Sequence, residues 1–446
     1  MKIFKLILFL AVFSFLLRGQ NTMAQSDAKD AKIQYMQAVE MFNYEYYNDA
    51  LAMFLKLLAT DKQNCNLNFY VGVCYLKSAK ARTMAVPYLL KAIKKIDPEY
   101  NYSYKEASAP VHAYMFLGEA LMLDNKFDDA IRNFNTFKTF LTDKPKDIEL
   151  LEDCNRQIEI ANNAKEFIAK PLKNVTIKPF DLVNSIYSDY ACIPSLDGTK
   201  YYFASKRKGN TGSEQDPSGG YLDDIYYIQL KNNMWSKPRK MPGKINSTNL
   251  EVIGCFTADQ KRMYLYRLTH EFFDIYYTDA NAKGKWSNPK KVTGGVNSKE
   301  NETSCSISHD GSTFYFVSDR PGGYGGTDIY MCEKMSSGEW GPAINLGDKI
   351  NTKFDEDYPF LSSDGATLYF SSKGHKSMGG FDIFYSTISD DGIWSEPENI
   401  GYPINTPADD VSFYLSADGK TGYYSTAKKG VMGELDVYEI DFSSPK

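Results

Sequence analysis

The sequence predicts a two-part protein behind an export signal: an α-helical solenoid followed by an all-β propeller of five blades. Three observations carry this. The first 24 residues pair a positive start with one apolar run. From about residue 28 to 168 apolar residues recur at three- and four-residue spacing, the helical period. Beyond Pro171 a β-rich unit of roughly 50 residues returns five times, and a repeat of that length with four short strands is one propeller blade.

Lys2 and Lys5 give the positive start, Ile3 to Leu17 is almost wholly apolar, and Thr22-Met23-Ala24 offers small residues at a cleavage spacing. The run is shorter than the ~20 residues that span a bilayer, and no later stretch approaches it. The expected signal peptide is therefore residues 1–24, with a mature chain that starts near Gln25 and has no transmembrane span. No cysteine adjoins the apolar run, which argues against a lipid anchor. Losing Lys2, Lys5 and Arg18 would take the net charge from −5 to −8. A mildly acidic chain is a poor partner for nucleic acid, whose binding shows as a basic patch or stripe. Seven cysteines lie scattered without a CxxC; the odd count permits a disulfide but implies no framework, and most read as small buried residues.

The helical part, assigned to residues 28–170, reads as paired segments broken by short polar turns. Ala38 is followed by Tyr47, Ala50 and Phe54; Gly72 and Tyr75 by Ala85, Leu89, Ala92 and Pro98; Leu117-Gly118 by Phe127, Ala130 and Phe134, with Pro145 closing the unit. This alternation of small and large residues, which lets two antiparallel helices nest, resembles tetratricopeptide repeats. An irregular insert falls between Pro98 and Pro110, and a helix from Asp147 to Ile168 is expected to cap the stack's apolar end.

The β part, assigned to 172–446, is aligned by its turns. Asp197, Asp259, Asp310, Asp364 and Asp418 are spaced 62, 51, 54 and 54 residues apart, the first interval being stretched by a Gly/Ser-rich insertion from Lys208 to Leu222. An Asp-Ile-Tyr-like strand keeps step at Asp224, Asp274, Asp328, Asp382 and Asp436. All four tryptophans, Trp235, Trp286, Trp340 and Trp394, fall at matching places. The fifth unit ends before its Trp-x-x-Pro segment, whereas residues 172–185 resemble the stretch C-terminal to each tryptophan. That segment is expected to supply the outer strand of the last blade, closing the ring and removing its edges.

Two polar positions repeat in every blade. Asn184, Asn246, Asn297, Asn351 and Asn405 are expected to hold a tight turn by hydrogen-bonding the backbone two residues on. Asp189, Glu251, Glu302, Glu356 and Asp410 begin the innermost strands and place five carboxylates around one mouth of the channel. Unpaired, such a ring is costly. Pairing with Lys206 or Arg207, Arg267, Arg320, Lys373 and Lys428 would satisfy it and is the favoured reading; the alternative is a cation or the basic tip of a partner. Oxygen-only ligands would suit a hard ion such as calcium, although side chains on five blades are widely spread for one ion.

Signals for catalysis are thin, and no cofactor is expected. His112, His270, His309 and His375 share neither metal-ligand spacing nor a blade position. No nucleophile elbow occurs. The Gly-rich loops at Arg320–Gly326 and Ser377–Gly380 precede strands, not helices, and so read as turns and not as phosphate cradles. The Ser-x-Asp-Gly sequences at Ser195, Ser308, Ser362 and Ser416 also read as turns.

Ser308-His-Asp-Gly-Ser-Thr-Phe-Tyr-Phe-Val-Ser-Asp-Arg320, followed by Asp328-Ile-Tyr330, resembles the WD40-like repeats of the TolB type. Joined to helical repeats behind a signal peptide, the arrangement is similar to the exported Bacteroidetes family that includes PorE, a peptidoglycan-associated component of the type IX secretion and gliding machinery. Members of that family usually continue into an OmpA-like domain that grips peptidoglycan, and this sequence stops at the propeller. Direct peptidoglycan binding is therefore not expected. The resemblance implies a non-catalytic scaffold in the periplasm, peripherally associated with the outer membrane, whose partners are outer-membrane β-barrels or secretion and gliding subunits. A propeller hydrolase, or a glycan- or peptide-binding protein, is the alternative.

Overall fold

In the computed structural model the described residues are 29–78, 81–142, 144–216, 220–269 and 271–443. The signal segment and His270 lie outside them. By internal contacts the chain divides into residues 1–120 and 121–446.

The first unit holds helices α1 (29–43), α2 (Tyr47–Thr60), α3 (Cys65–Lys77) and α4 (Ala85–Ala92), and most of α5 (Ala113–Leu123). Small residues set the packing. Ala38, Ala50, Ala85 and Ala92 are fully buried beside Phe54 and Leu89. A side chain at Gly72 would come within 2.6 Å of Leu89 Cγ, so α3 and α4 meet at a contact only glycine allows. Asn64 caps α3 by accepting from Leu67 N at 2.9 Å. The insert after Pro98 is tied down by Asn66, which receives Tyr100 Oη at 2.5 Å and donates to Tyr35 Oη at 3.0 Å.

The second unit begins with α6 (Phe127–Lys138) and α7 (Pro145–Ala169), which pack on each other around Ala130, Phe134, Ile160, Ala161 and Ala164. The compositional break near residue 171 is thus not where the compact units part. The physical reason is α7: Arg156 donates to the carbonyls of Lys373, Gly374 and His375 at 2.8, 3.0 and 3.2 Å, and Asn163 donates to Ser377 O at 2.9 Å. Glu166 adds an ion pair with Lys376.

The propeller follows as five antiparallel sheets. Blade 1 runs Asp189–Pro194, Lys200–Ser205, Asp224–Lys231 and Arg239–Lys240, from innermost to outermost, and blades 2 to 4 repeat the order. In blade 5 the fourth strand is Thr176–Pro179, paired antiparallel with Asp436–Asp441, so chain from before the first blade completes the last. The core lies between blades and is aromatic: Phe203, Phe314, Phe316, Phe370 and Phe384 are fully buried. Trp340 and Trp394 are buried and Trp235 and Trp286 half-buried, packed on Phe314, Tyr315, Tyr201 and Phe256 respectively. The Ser-x-Asp-Gly segments are turns: Ser195 Oγ and Thr199 N both donate to Asp197 Oδ1, and Gly198 takes a φ of +65°.

Candidate functional site

The repeated asparagines do something other than brace the local turn. Asn246 donates from Nδ2 to Ile225 O at 3.0 Å and accepts Ile225 N on Oδ1 at 2.8 Å. Asn297, Asn351 and Asn405 treat Ile275, Ile329 and Ile383 in the same way, and Asn184 treats Val437. The outer strand pairs for two residues in blades 1 to 4 and for four in blade 5. One residue past it the third-strand carbonyl also accepts a backbone amide, from Met241, Val292, Leu346, Ile400 or Phe180, while the N–H of the same residue donates to the asparagine, so the side-chain amide extends the ladder by one pair. At Asn184 the same pair of bonds joins segments 253 residues apart, at the seam of the ring.

The five ring acids are fully buried, and three pair as the sequence suggests. Arg207, Arg267 and Arg320 meet Asp189, Glu251 and Glu302 at 2.5, 2.8 and 2.9 Å. Arg320 also lies 5.0 Å from the Phe316 and Tyr330 ring centres and donates to Val296 O at 2.6 Å.

Blades 4 and 5 depart from the expected pairing. In blade 4 Lys373 goes to Asp355 at 2.8 Å, not to Glu356; in blade 1, where Arg207 takes the ring acid, Lys206 goes to Asp216 at 2.8 Å. Gly374 occupies the place of Arg320, two residues beyond the serine opposite the ring acid. His375, with a φ of +48°, turns back into the vacated slot between Phe370 and Phe384 and donates from Nε2 to Ile350 O at 3.0 Å. Burial holds that imidazole below its ordinary value, and so neutral. Left with Thr352 and Ser372 as donors, Glu356 is pushed by burial up to about 7. In blade 5 the Lys428 ammonium sits 3.6 Å from the Tyr438 ring centre and donates to Tyr424 Oη, and burial brings it down to about 8. Asp410 accepts from Thr406 on Oδ2 while Oδ1 has no partner among the described residues.

The ring is therefore five separate networks; four satisfy both carboxylate oxygens within the chain, and in blade 5 Asp410 Oδ1 is left over. Among the described residues no three His, Cys, Asp or Glu side chains are placed to hold one metal ion. The Gly-rich loops likewise fold onto the chain's own carboxylates: Tyr324 N and Gly325 N donate to Asp328, and Ser377 Oγ and Met378 N to Asp382. Any anion seat in these loops is filled by aspartate.

What the repeat pattern does not reveal lies inside the channel. Its wall carries an apolar cavity of about 200 Å³ lined from all five blades, including Ile193, Ile253, Ile307, Phe360 and Phe413. It reaches the turn layer, where His309 lines it and Leu196 is 72% exposed. The inner strand of every blade carries a β-bulge here. Ala191, Tyr358 and Ser412 accordingly adopt φ of +53°, +50° and +52° at the cavity floor, a left-handed backbone that a bulky residue adopts only under constraint. Neighbouring serines catch the freed amides: Tyr358 N donates to Ser304 Oγ at 2.9 Å, and Ala191 N to Ser412 Oγ at 3.3 Å.

Beneath this floor the five-fold pattern breaks. The position after each ring acid holds Tyr190, Val252, Thr303, Asp357 and Val411, so blade 4 alone has a carboxylate there. Ser304 Oγ and Tyr358 N both donate to Asp357 Oδ1. Asp223 is a second singular acid, buried, with Tyr190 Oη donating to it at 2.9 Å. Burial, helped by the charges of Asp357 and Asp223, pushes the Tyr266 and Tyr358 phenols up. Burial pushes both Asp223 and Asp357 up to about 6. The nearest signal in the sequence was that blade 1 and blade 4 each spend an extra aspartate beside a repeated one.

The cysteines stay as thiols: six are buried and Cys255 is half-buried, with its Sγ 3.8 Å from that of Cys305 in the channel wall. His112 is half-buried in the first unit. That unit also shows an apolar groove where Ile33 and Met36 of α1, and Tyr44 just past its end, face Tyr102 and Tyr104, with Met36 and Tyr102 well exposed.

No protein-family model matches the sequence, and no curated protein is similar to it. Among solved structures the chain is similar to TolB from Acinetobacter baumannii (15% identity, 55% of this chain and 54% of that one, TM-score 0.35). It is also similar to a protein designated TolB from Agrobacterium tumefaciens (18%, 61% and 86%, 0.37). A further similarity is to the Yersinia enterocolitica type III secretion chaperone SycD, solved with a peptide of the translocator YopD (17%, 30% and 93%, 0.24). The alignment spans about half the length of the Acinetobacter protein. At these identities the likeness is one of fold alone.

Proposed function

We propose that this protein is a non-catalytic binding scaffold that holds partner proteins of the bacterial envelope, on the periplasmic side and peripheral to the outer membrane, as part of a secretion or gliding assembly. The observation that carries the reading is the preformed apolar cavity on the propeller axis, opening beside the exposed Leu196. Concave apolar pockets with a few convergent polar groups are what binding sites are made of. The ring around it is held by the asparagine bridges and buried acid networks, so the cavity needs no ordering on binding. The apolar groove of the first unit supplies a second surface. Among the described residues no helix is long and apolar enough to cross a membrane, which is compatible with a peripheral place.

The test is crosslinking of the tagged full chain in its native host, with mass spectrometry of the eluate, for wild type and for Leu196→Asp and Met36→Asp. Recovery of envelope proteins that drop out selectively with one variant or the other supports the scaffold. Recovery that neither variant changes, or turnover of a glycan or peptide substrate by the purified protein, overturns it.

A further inference from the structure

Two thiols meet in the wall of the channel cavity. Cys255 lies on the inner strand of blade 2 and Cys305 on that of blade 3, and both line the cavity. Their sulfurs stand 3.8 Å apart. A disulfide needs about 2 Å between sulfurs, so a closure of about 2 Å makes the bond. The local backbone brings the pair together. Gly254 is the extra residue of the blade 2 bulge, between Ile253, which pairs with Leu265, and Cys255, which pairs with Tyr264. A side chain at Gly254 would collide with Cys305 Sγ, so a glycine is what lets the thiol of the next blade come this close. The five-fold repeat does not ask for a thiol at Cys255, since the same step of the other inner strands holds Ile193, Ser306, Phe360 and Tyr414.

We propose that Cys255 and Cys305 are a dithiol–disulfide couple, oxidised by an external disulfide that reaches Cys255 from the cavity, and that the bond staples blade 2 to blade 3. The Cys255 thiolate attacks one sulfur of the external disulfide and expels a thiolate, which leaves a mixed disulfide on Cys255. Cys305 then loses its proton to solvent and attacks the Cys255 sulfur, expelling the second thiolate. Two electrons pass from the two protein thiols to the external disulfide, which departs as two thiols carrying the two protons. Burial sets this order. Cys255 is half-buried and meets the oxidant, whereas Cys305 is buried, with its thiol raised well above the ordinary range, and needs to reach only the neighbouring sulfur. The two residues are 50 positions apart, so the bond closes a long loop and removes freedom from the unfolded chain. It also fixes the wall between two blades beside the cavity, so the redox state sets how far that wall can give to an occupant. The inference rests on the envelope reading in one respect, the supply of oxidant, because disulfides form and persist outside the cytosol.

The experiment treats the fully reduced full chain with oxidised glutathione, quenches with maleimide under denaturing conditions and maps the tryptic peptides. Free thiols are expected to fall from seven to five, with glutathione on Cys255 as the transient and a Cys255–Cys305 peptide as the product. Cys255→Ser should keep its remaining thiols, and Cys305→Ser should stop at the mixed disulfide on Cys255. The urea midpoint should rise on oxidation of wild type and stay unchanged on the same treatment of Cys255→Ser. A bond from Cys255 to Cys192, the third thiol on the cavity, overturns the proposal, and so does glutathione left on Cys255 with Cys305 free. Seven thiols that persist in the folded protein while the urea-unfolded chain oxidises, or a midpoint that does not rise, overturn it as well. Should Cys305→Ser not fold, wild type and Cys255→Ser decide alone. If the couple fails but Leu196→Asp still releases an envelope partner in the crosslinking test, the scaffold stands; if the disulfide forms and no partner is recovered, the couple stands without it.

Discussion

Removing Arg320 tests the claim that the buried acid–arginine pairs hold neighbouring blades together. Among the described residues Arg320 is the sole cation paired with Glu302, whose side chain is fully buried, and it also ties the Val296 and Gly295 carbonyls to the blade. Arg320→Ala leaves Glu302 charged and stranded, and breaking one half of a buried pair costs about 3–5 kcal/mol. Blade 4 shows what a ring acid does without its arginine: Glu356 climbs to about 7. In Arg320→Ala, Glu302 should behave the same way and escape its penalty by taking a proton in acid. The loss should therefore be about 3–5 kcal/mol at pH 8 and fall to about 1–3 kcal/mol at pH 5, where only the carbonyl hydrogen bonds and packing are missing. Adding Glu302→Gln removes the stranded charge and should recover stability at pH 8 but not at pH 5. Equilibrium urea unfolding followed by tryptophan fluorescence reads all three proteins at both pH values. A cost below 1 kcal/mol at pH 8, or a double variant less stable there than Arg320→Ala, refutes the reasoning.

Three further outcomes are expected. Glu356 has a folded-state value raised from the ordinary 4.5 to about 7, so its contribution is fully present below 4.5 and is lost as pH rises through 7; Glu356→Gln should lack that slope and gain roughly 3 kcal/mol on wild type between pH 4.5 and 8, measured by urea midpoints. Arg156→Ala removes three bonds from α7 to the carbonyls at 373–375 and, at about 1.5–3 kcal/mol for hydrogen bonds to a charged group, should expose α7 to trypsin while tryptophan fluorescence stays native; an unchanged digestion pattern counts against that docking. Burial raises the Cys305 thiol well above its ordinary range, so native protein should resist maleimide at Cys305, and mild oxidation should join only Cys255 to Cys305; peptide mapping that finds another pairing contradicts it.

The blade count and the helical pairing were legible because both are written in local chemistry repeated at a fixed period: an Asp-Gly turn, a tryptophan, a small residue facing a large one. Residues that act across the fold were not. Asn297 reads as a turn residue until the topology sets it beside Ile275, 22 positions back. His375 fills an arginine's slot from one position out of register, helped by a left-handed φ that nothing in the sequence announces. The bulges at Ala191, Tyr358 and Ser412 carry no glycine to mark them. Arg156 meets its acceptors across 217 residues, so a helix that reads as the cap of the solenoid also serves the propeller. Lys373 and Lys428 were plausible partners by charge and place, and failed for want of the bidentate reach and stacking plane that arginine brings.

These misses share a cause that bears on function. A residue repeated in all five blades is under the same structural demand five times, and the asparagines and ring acids meet that demand by closing on the chain itself. Apart from Asp410 Oδ1, the ring acids have no unpartnered oxygen left to offer a ligand. A site on the axis must be built from positions that are not repeated, because five copies of one carboxylate facing each other would repel and neutralise by protonation. Asp223 and Asp357 meet that condition: their counterparts in the other blades are Phe273, Thr327, Phe381 and Leu435 in the one case, and Tyr190, Val252, Thr303 and Val411 in the other. The five ring acids drew attention because they recur, and that recurrence is what marks them as framework.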